Sequence, residues 1–174
     1  MKDRERLDAL EVALNNETRE REFYLQNAKR TKNPVGKAMF RQIADEELEH
    51  YERLKELHAK WEKEQSWPET VPLKVKKTIV RDILKSIVEK EANLSPGDHD
   101  DLAAVRKAID FEAAGAVYYA DMRDNVADPK EKAFFNLLAD MEHEHFVSLK
   151  ETEELMTNPA DWFRNKEKTG LDGG

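Results

Sequence analysis

The chain contains no cysteine among its 174 residues. This absence excludes disulfide bonds, thiolate metal sites, iron–sulfur clusters and thiol catalysis. No apolar run approaches the roughly 20 residues that a membrane-spanning helix needs. Residues 1–6 are too polar for the core of a secretory signal. We therefore expect a cytoplasmic protein that has no membrane partner.

Glycine is also scarce, at six residues, whereas charged residues make up 38% of the chain. This balance favours long amphipathic helices over β-sheet. The net charge of −8 argues against nucleic acid as a partner, because phosphate binding needs a basic surface. The length fits a single domain that spans residues 1–174.

An internal repeat organises the chain. Residues 7–56 align with residues 102–151 without a gap, and seventeen of the fifty aligned positions are identical. The stretch 44–50 returns 95 residues later as 139–145. A repeat of this kind predicts that both halves share one local structure.

Each half is expected to form a hairpin of two long helices. The four helices are expected at residues 4–31, 34–64, 98–126 and 129–157. Asn33-Pro34 and Asp128-Pro129 separate the helices within each half, because proline is favoured in the first turn of a helix and disfavoured inside one. Connections this short imply antiparallel neighbours.

The segment between the hairpins is too long for a turn. We interpret residues 65–97 as a crossover with one helix at 73–92, and Asp98 as the N-cap of the next helix. The tail, residues 158–174, is expected to add one helical turn and then to fray from Thr169 onward. The fold class is therefore all-α, a four-helix bundle of two repeated hairpins joined by a long crossover.

Apolar residues at helical spacing predict the buried faces of the first two helices. In the first helix they are Leu7, Leu10, Val12, Leu14, Phe23 and Leu25. In the second they are Val35, Met39, Ile43, Leu54, Leu57 and Trp61.

Metal-ligand residue types recur within the repeat. Glu47 and His50 are three residues apart, which on a helix is a rotation of roughly 300° and a rise of about 4.5 Å. Both side chains therefore leave the same face. Glu142 and His145 repeat the arrangement in the second half. Each pair can bind one ion or two adjacent ions.

The first and third helices each offer a glutamate in register, Glu17 and Glu112. Two helices giving Glu and two giving Glu-x-x-His form the ligand pattern of di-iron and di-manganese carboxylate bundles. Oxygen ligands with two imidazoles suit iron or manganese. Four carboxylates also balance the charge of two divalent ions. Glu20, one turn after Glu17, is a further candidate ligand, and its repeat counterpart is Gly115.

Four motifs carry a family resemblance. They are Glu17-(x6)-Tyr24, Glu47-x-x-His50, Glu112-(x6)-Tyr119 and Glu142-x-x-His145. In these motifs the chain resembles the rubrerythrin branch of the ferritin-like superfamily. The resemblance implies a ferritin-like domain with two iron ions, or manganese or zinc in their place. The implied ligands, also taken as the catalytic residues, are Glu17, Glu47, His50, Glu112, Glu142 and His145. Tyr24 and Tyr119 would donate hydrogen bonds to ligand carboxylates.

The chain departs from rubrerythrin in two respects. It has no cysteines for a rubredoxin-like domain, so electrons must come from a separate donor protein such as a rubredoxin. Rubrerythrins carry an extra glutamate on the third helix, where this chain has Gly115, and Glu20 stands at the equivalent place on the first helix.

The resemblance implies a peroxidase that reduces hydrogen peroxide in oxidative-stress defence. The alternatives are a ferroxidase or iron-handling protein, an oxygen-activating or manganese enzyme, and a structural relic whose site is empty or holds zinc. We expect a homodimer, and the long crossover permits exchange of a hairpin between chains.

Several other polar residues are interpreted as surface groups and not as ligands. They are the carboxylates Glu46, Glu49 and Glu144 and the imidazoles His58, His99 and His143.

Overall fold

The computed structural model describes residues 3–64, 76–90 and 93–171. Six helices are found within these ranges. They are α1 (Asp3–Arg30), α2 (Pro34–Glu64), α3 (Val80–Lys90), α4 (His99–Asn125), α5 (Pro129–Thr157) and α6 (Pro159–Leu171). The described part of the chain contains no strand. The predicted all-α, ferritin-like bundle is confirmed. The described helices contain no apolar stretch of sufficient length to span a membrane.

The two hairpins form because the breaks before α2 and α5 are capped. Asn33 Oδ1 accepts hydrogen bonds from the backbone N–H of Val35 and Gly36, at 3.0 and 3.2 Å. Asp128 Oδ1 accepts from the first turn of α5 in the same way. Each cap satisfies backbone donors that the start of a helix leaves unpaired. The predicted helix starts are therefore confirmed.

The crossover differs from the prediction, because its helix begins at Val80 and not at residue 73. Residues 76–79 are not helical. The backbone N–H of Lys76 donates to Glu49, and that of Ile79 donates to Glu46, at 3.3 and 3.1 Å. Hydrogen bonds to side chains of α2 thus replace the helical hydrogen bonds that the predicted helix would have made at these residues. Residues 65–75 and 91–92, which the prediction also covered, lie outside the described residues.

The tail forms a helix of 13 residues, where the sequence predicted a single turn. Asn158 ends α5 and starts α6, since its Oδ1 accepts from the backbone N–H of Asp161 at 3.2 Å. Trp162 and Phe163 pack against the core. Helix α6 continues through Leu171, and the fraying expected from Thr169 stays a prediction. Residues 172–174 lie outside it.

Two apolar clusters fill the bundle. One is built around Tyr24, Phe40, Ile43 and Leu149, and the other around Leu10, Leu54, Phe135 and Leu138. Buried carboxylates and imidazoles also lie inside the bundle. The apolar clusters stabilise the four long helices and fix the positions from which these polar side chains project.

The predicted buried face of α2 is confirmed, but that of α1 is partly wrong. Val12 is 48% exposed, and Leu7, Leu14, Phe23 and Leu25 are only partly buried. The inward face of α1 includes Leu10, Ala13, Glu17, Glu20 and Tyr24. Because two of these are glutamates, the apolar spacing alone did not reveal that face.

Candidate metal centre

Six side chains from four helices converge inside the bundle. Two groups of ligand atoms form, each with all its atoms within 4.8 Å of one another. The first group is Glu17, Glu47, His50 and Glu142, and the second is Glu47, Glu112, Glu142 and His145. Glu47 and Glu142 belong to both groups. The structure therefore brings together all six residues that the resemblance implied, and their assignment as ligands stays a prediction.

The two histidines face the same carboxylates. Their rings are nearly parallel, with centroids 6.0 Å apart. His50 Nδ1 lies 3.3 Å from both Glu47 and Glu142. His145 Nδ1 lies 3.3 Å from Glu47 and 3.2 Å from Glu112. In each ring the Nδ1 atom is thus the one that points to the centre of the cluster.

Two tyrosines hold the outer glutamates across the bundle. The Tyr24 hydroxyl on α1 donates to Glu112 on α4, and the Tyr119 hydroxyl on α4 donates to Glu17 on α1. Both tyrosines are buried. Each hydrogen bond fixes the orientation of one carboxylate and leaves its other oxygen free to face the centre.

The central carboxylates lack hydrogen bonds of their own. Within the described residues, no oxygen of Glu47 or Glu142 accepts a well-formed hydrogen bond, and each carboxylate instead has an imidazole Nδ1 atom at 3.3 Å. Buried polar groups are normally paired, so such atoms require an explanation. Four carboxylates and two imidazoles around a shared centre match the donors that iron and manganese prefer. The residues present therefore fit a pair of divalent cations.

Protons balance the charge in the metal-free protein. Burial, followed by repulsion from Glu47, raises the pKa of Glu17 to about 8. Burial also raises the pKa of Glu142 well above its ordinary value. Burial would lower the pKa of His50, but attraction to Glu47 together with the contacts to Glu142 and Glu17 outweighs it and raises that pKa well above the usual range. Cations would displace these protons, so metal binding and proton release are coupled.

Glu20 lies beside the cluster but outside both ligand groups. It is buried, and burial together with repulsion from Glu47 and Glu112 raises its pKa to about 9. Glu20, Glu17, Gly115 and Tyr119 line a cavity of about 160 Å³ between α1 and α4. The cavity is also lined by Arg19 and Ala114, which are exposed.

Glu46 is the functional candidate that the sequence missed. It was interpreted as a surface group, which is wrong, because it is only 8% exposed and Oε2 lies 2.6 Å from His145 Nε2. The repeat could not indicate this role, since the counterpart of Glu46 is Met141. The sequence indicated only that Glu46 is adjacent to Glu47, which on a helix places the two side chains about 100° apart.

The remaining polar candidates lie outside both ligand groups. His99 and His143 are exposed, as predicted. His58 is partly buried, with Nε2 at 3.5 Å from Glu11. Glu49 and Glu144 are also partly buried, so none of these three is a fully solvated surface group.

Comparisons with known proteins agree with the geometry. A family model described as rubrerythrin matches residues 8–153. No curated protein and no solved structure matches the chain. The family match covers most of the chain, including all six converging side chains, and the chain therefore belongs to the rubrerythrin family.

Proposed function

We propose that the protein is a non-haem di-iron oxidoreductase that reduces hydrogen peroxide to water with electrons from a separate donor protein. The observation that carries the proposal is the pair of buried ligand groups that share Glu47 and Glu142. Glu47 and Glu142 would hold two ions close together, and a reaction that consumes two electrons at one place requires this.

Iron, when bound, supplies one electron from each of two ferrous ions. Reduction of one peroxide consumes these two electrons and two protons, breaks the O–O bond and yields two waters. The donor protein then returns two electrons. Because the chain has no cysteine, it cannot hold a thiolate iron centre for this purpose.

The residues of the chain bind, orient and supply protons. Tyr24 and Tyr119 keep Glu112 and Glu17 oriented toward the centre. The Glu20 carboxyl borders the cavity and, in the metal-free protein, holds its proton at neutral pH. We assign proton delivery to Glu20 because its carboxyl group borders the cavity beside the ligand groups.

The cavity favours a small oxidant. Its volume of about 160 Å³ is below the roughly 300–1,000 Å³ of pockets that bind drug-sized ligands. Hydrogen peroxide and dioxygen fit this space, whereas the organic substrate of a hydroxylase would need a larger pocket. We also propose that the protein is a homodimer, which gel filtration with light scattering would test. We propose a cytoplasmic location as well, which cell fractionation would test.

Elemental analysis followed by stopped-flow mixing tests the function. We expect two iron ions per chain and faster oxidation of the ferrous protein by peroxide than by oxygen. The variant Glu142→Gln should remove the fast phase, because Glu142 belongs to both groups. Faster oxidation by oxygen with mineral growth would indicate iron handling instead, and a chain that binds no metal would exclude both functions.

A further inference from the structure

The repeat predicts two equivalent ion positions, but the environments of the two histidines differ. His145 Nε2 is paired with Glu46 at 2.6 Å. His50 Nε2 has no hydrogen-bond partner among the described residues. The residue at the position equivalent to Glu46 is Met141, whose thioether is only a weak acceptor.

Glu46 is itself held in place from two directions. Its Oε1 accepts from Gln42 Nε2 at 2.7 Å and from the backbone N–H of Ile79 at 3.1 Å. Ile79 lies in the crossover segment just before α3. The crossover has no second copy in the repeat. Its hydrogen bond to Glu46 therefore departs from the two-fold symmetry of the bundle.

The pairing determines how His145 can bind an ion. When the ring is neutral, a proton on Nε2 donated to Glu46 leaves the lone pair on Nδ1, the atom that faces Glu47 and Glu112. A carboxylate partner of this kind fixes the tautomer and orientation of a metal-binding histidine and increases its basicity. His50 has no such partner within the described residues. Glu17, which belongs to the same ligand group as His50, lines the cavity.

We propose that Glu46 is a positioning residue that makes the two ion positions unequal. The position formed by Glu112 and His145 binds its ion more tightly, and the position formed by Glu17 and His50 exchanges its ion more readily. This inference rests on the proposed metal-binding function.

Titration of the metal-free full-length chain with Co²⁺, followed by calorimetry and visible absorbance, tests the proposal. The wild-type chain should show two binding steps of unequal affinity. Glu46→Met, which copies the second half of the repeat, should weaken the tighter step by about 10- to 100-fold and leave the weaker step unchanged. Glu46→Gln keeps the shape of the side chain and should weaken the tighter step by a smaller factor. This variant provides the test if Glu46→Met does not fold.

Glu49→Gln is the matched control. Glu49 also accepts from the crossover backbone, at Lys76, but belongs to neither ligand group. This variant should leave both Co²⁺ steps unchanged. The ¹⁵N NMR signal of His145 Nε2 should shift in Glu46→Gln and not in Glu49→Gln. A general loss of stability would not produce this difference between the variants.

Three results would overturn the inference. Two equal steps in the wild type, or equal weakening of both steps in Glu46→Met and Glu46→Gln, would reject it while leaving the two-ion centre intact. Absence of Co²⁺ binding in the wild type would reject both the inference and the proposed function.

Discussion

Gly115 on α4 lies directly against the Glu142 carboxylate on α5. A Cβ atom at residue 115 would stand 2.5 Å from Glu142 Oε2, closer than carbon and oxygen atoms approach without bonding. The glycine therefore makes room for a carboxylate that belongs to both ligand groups. The same residue also lines the cavity beside the cluster.

Gly115→Ala should separate metal binding from stability. The added methyl displaces the flexible end of Glu142, so Co²⁺ affinity should fall at least about tenfold. The free energy of unfolding of the metal-free protein should stay constant or rise by up to about 1 kcal/mol, because alanine favours helix over glycine. Val117→Ala, at an exposed site on the same helix, is the control and should not alter binding. Unchanged affinity in Gly115→Ala would contradict the assignment of Glu142.

Substitution of a shared ligand should cost more than substitution of an outer one. Glu142 belongs to both ligand groups, whereas Glu112 belongs to one. Glu142→Gln should therefore weaken both Co²⁺ binding steps, and Glu112→Gln only one. Stepwise calorimetric titration measures the difference. Equal effects of the two variants would show that Glu142 does not contribute to both ion positions.

Metal removal should lower the melting temperature. A ligand at 100 times its Kd stabilises a folded protein by about 2.7 kcal/mol. For a chain of this size each kcal/mol corresponds to about 2–4 °C, so chelation should lower Tm by about 5–10 °C. Scanning calorimetry with and without chelator measures this. In Glu142→Gln the chelator should have little effect on Tm. Equal Tm values of the metal-loaded and chelated wild-type protein would count against the metal centre.

The stability of the metal-free protein should depend on Glu20 and on pH. The pKa of this carboxyl is about 9 in the folded chain and near 4.5 when unfolded. Between these values the folded state holds the extra proton, so the contribution of Glu20 becomes more unfavourable as pH rises. Glu20→Gln removes this effect.

Melting curves from pH 6 to 9 would measure that dependence. The Tm of Glu20→Gln should exceed that of the wild type by a margin that grows with pH. Glu22→Gln, at an exposed position on the same helix, should show no such trend. A margin that stays constant or shrinks would mean that Glu20 is ionised in the folded protein.

The repeat made much of the fold predictable. Pro34 and Pro129 indicated both hairpin turns, and the spacing of Glu47 and His50 placed both side chains on one helix face. These features are local, because they depend on backbone capping and on the helical period. The α3 start was not predictable, because Ile79 donates to a side chain of another helix.

The sequence by itself determined the four long helices, since the repeat and its prolines mark their bounds, and its motifs pointed through the family resemblance to the six inward side chains. The tertiary structure alone decided that Glu46 meets His145 and that Gly115 accommodates Glu142. Both contacts join different helices, so they depend on how closely and at what register the helices pack. That packing is a property of the whole bundle, and the period of a single helix does not contain it.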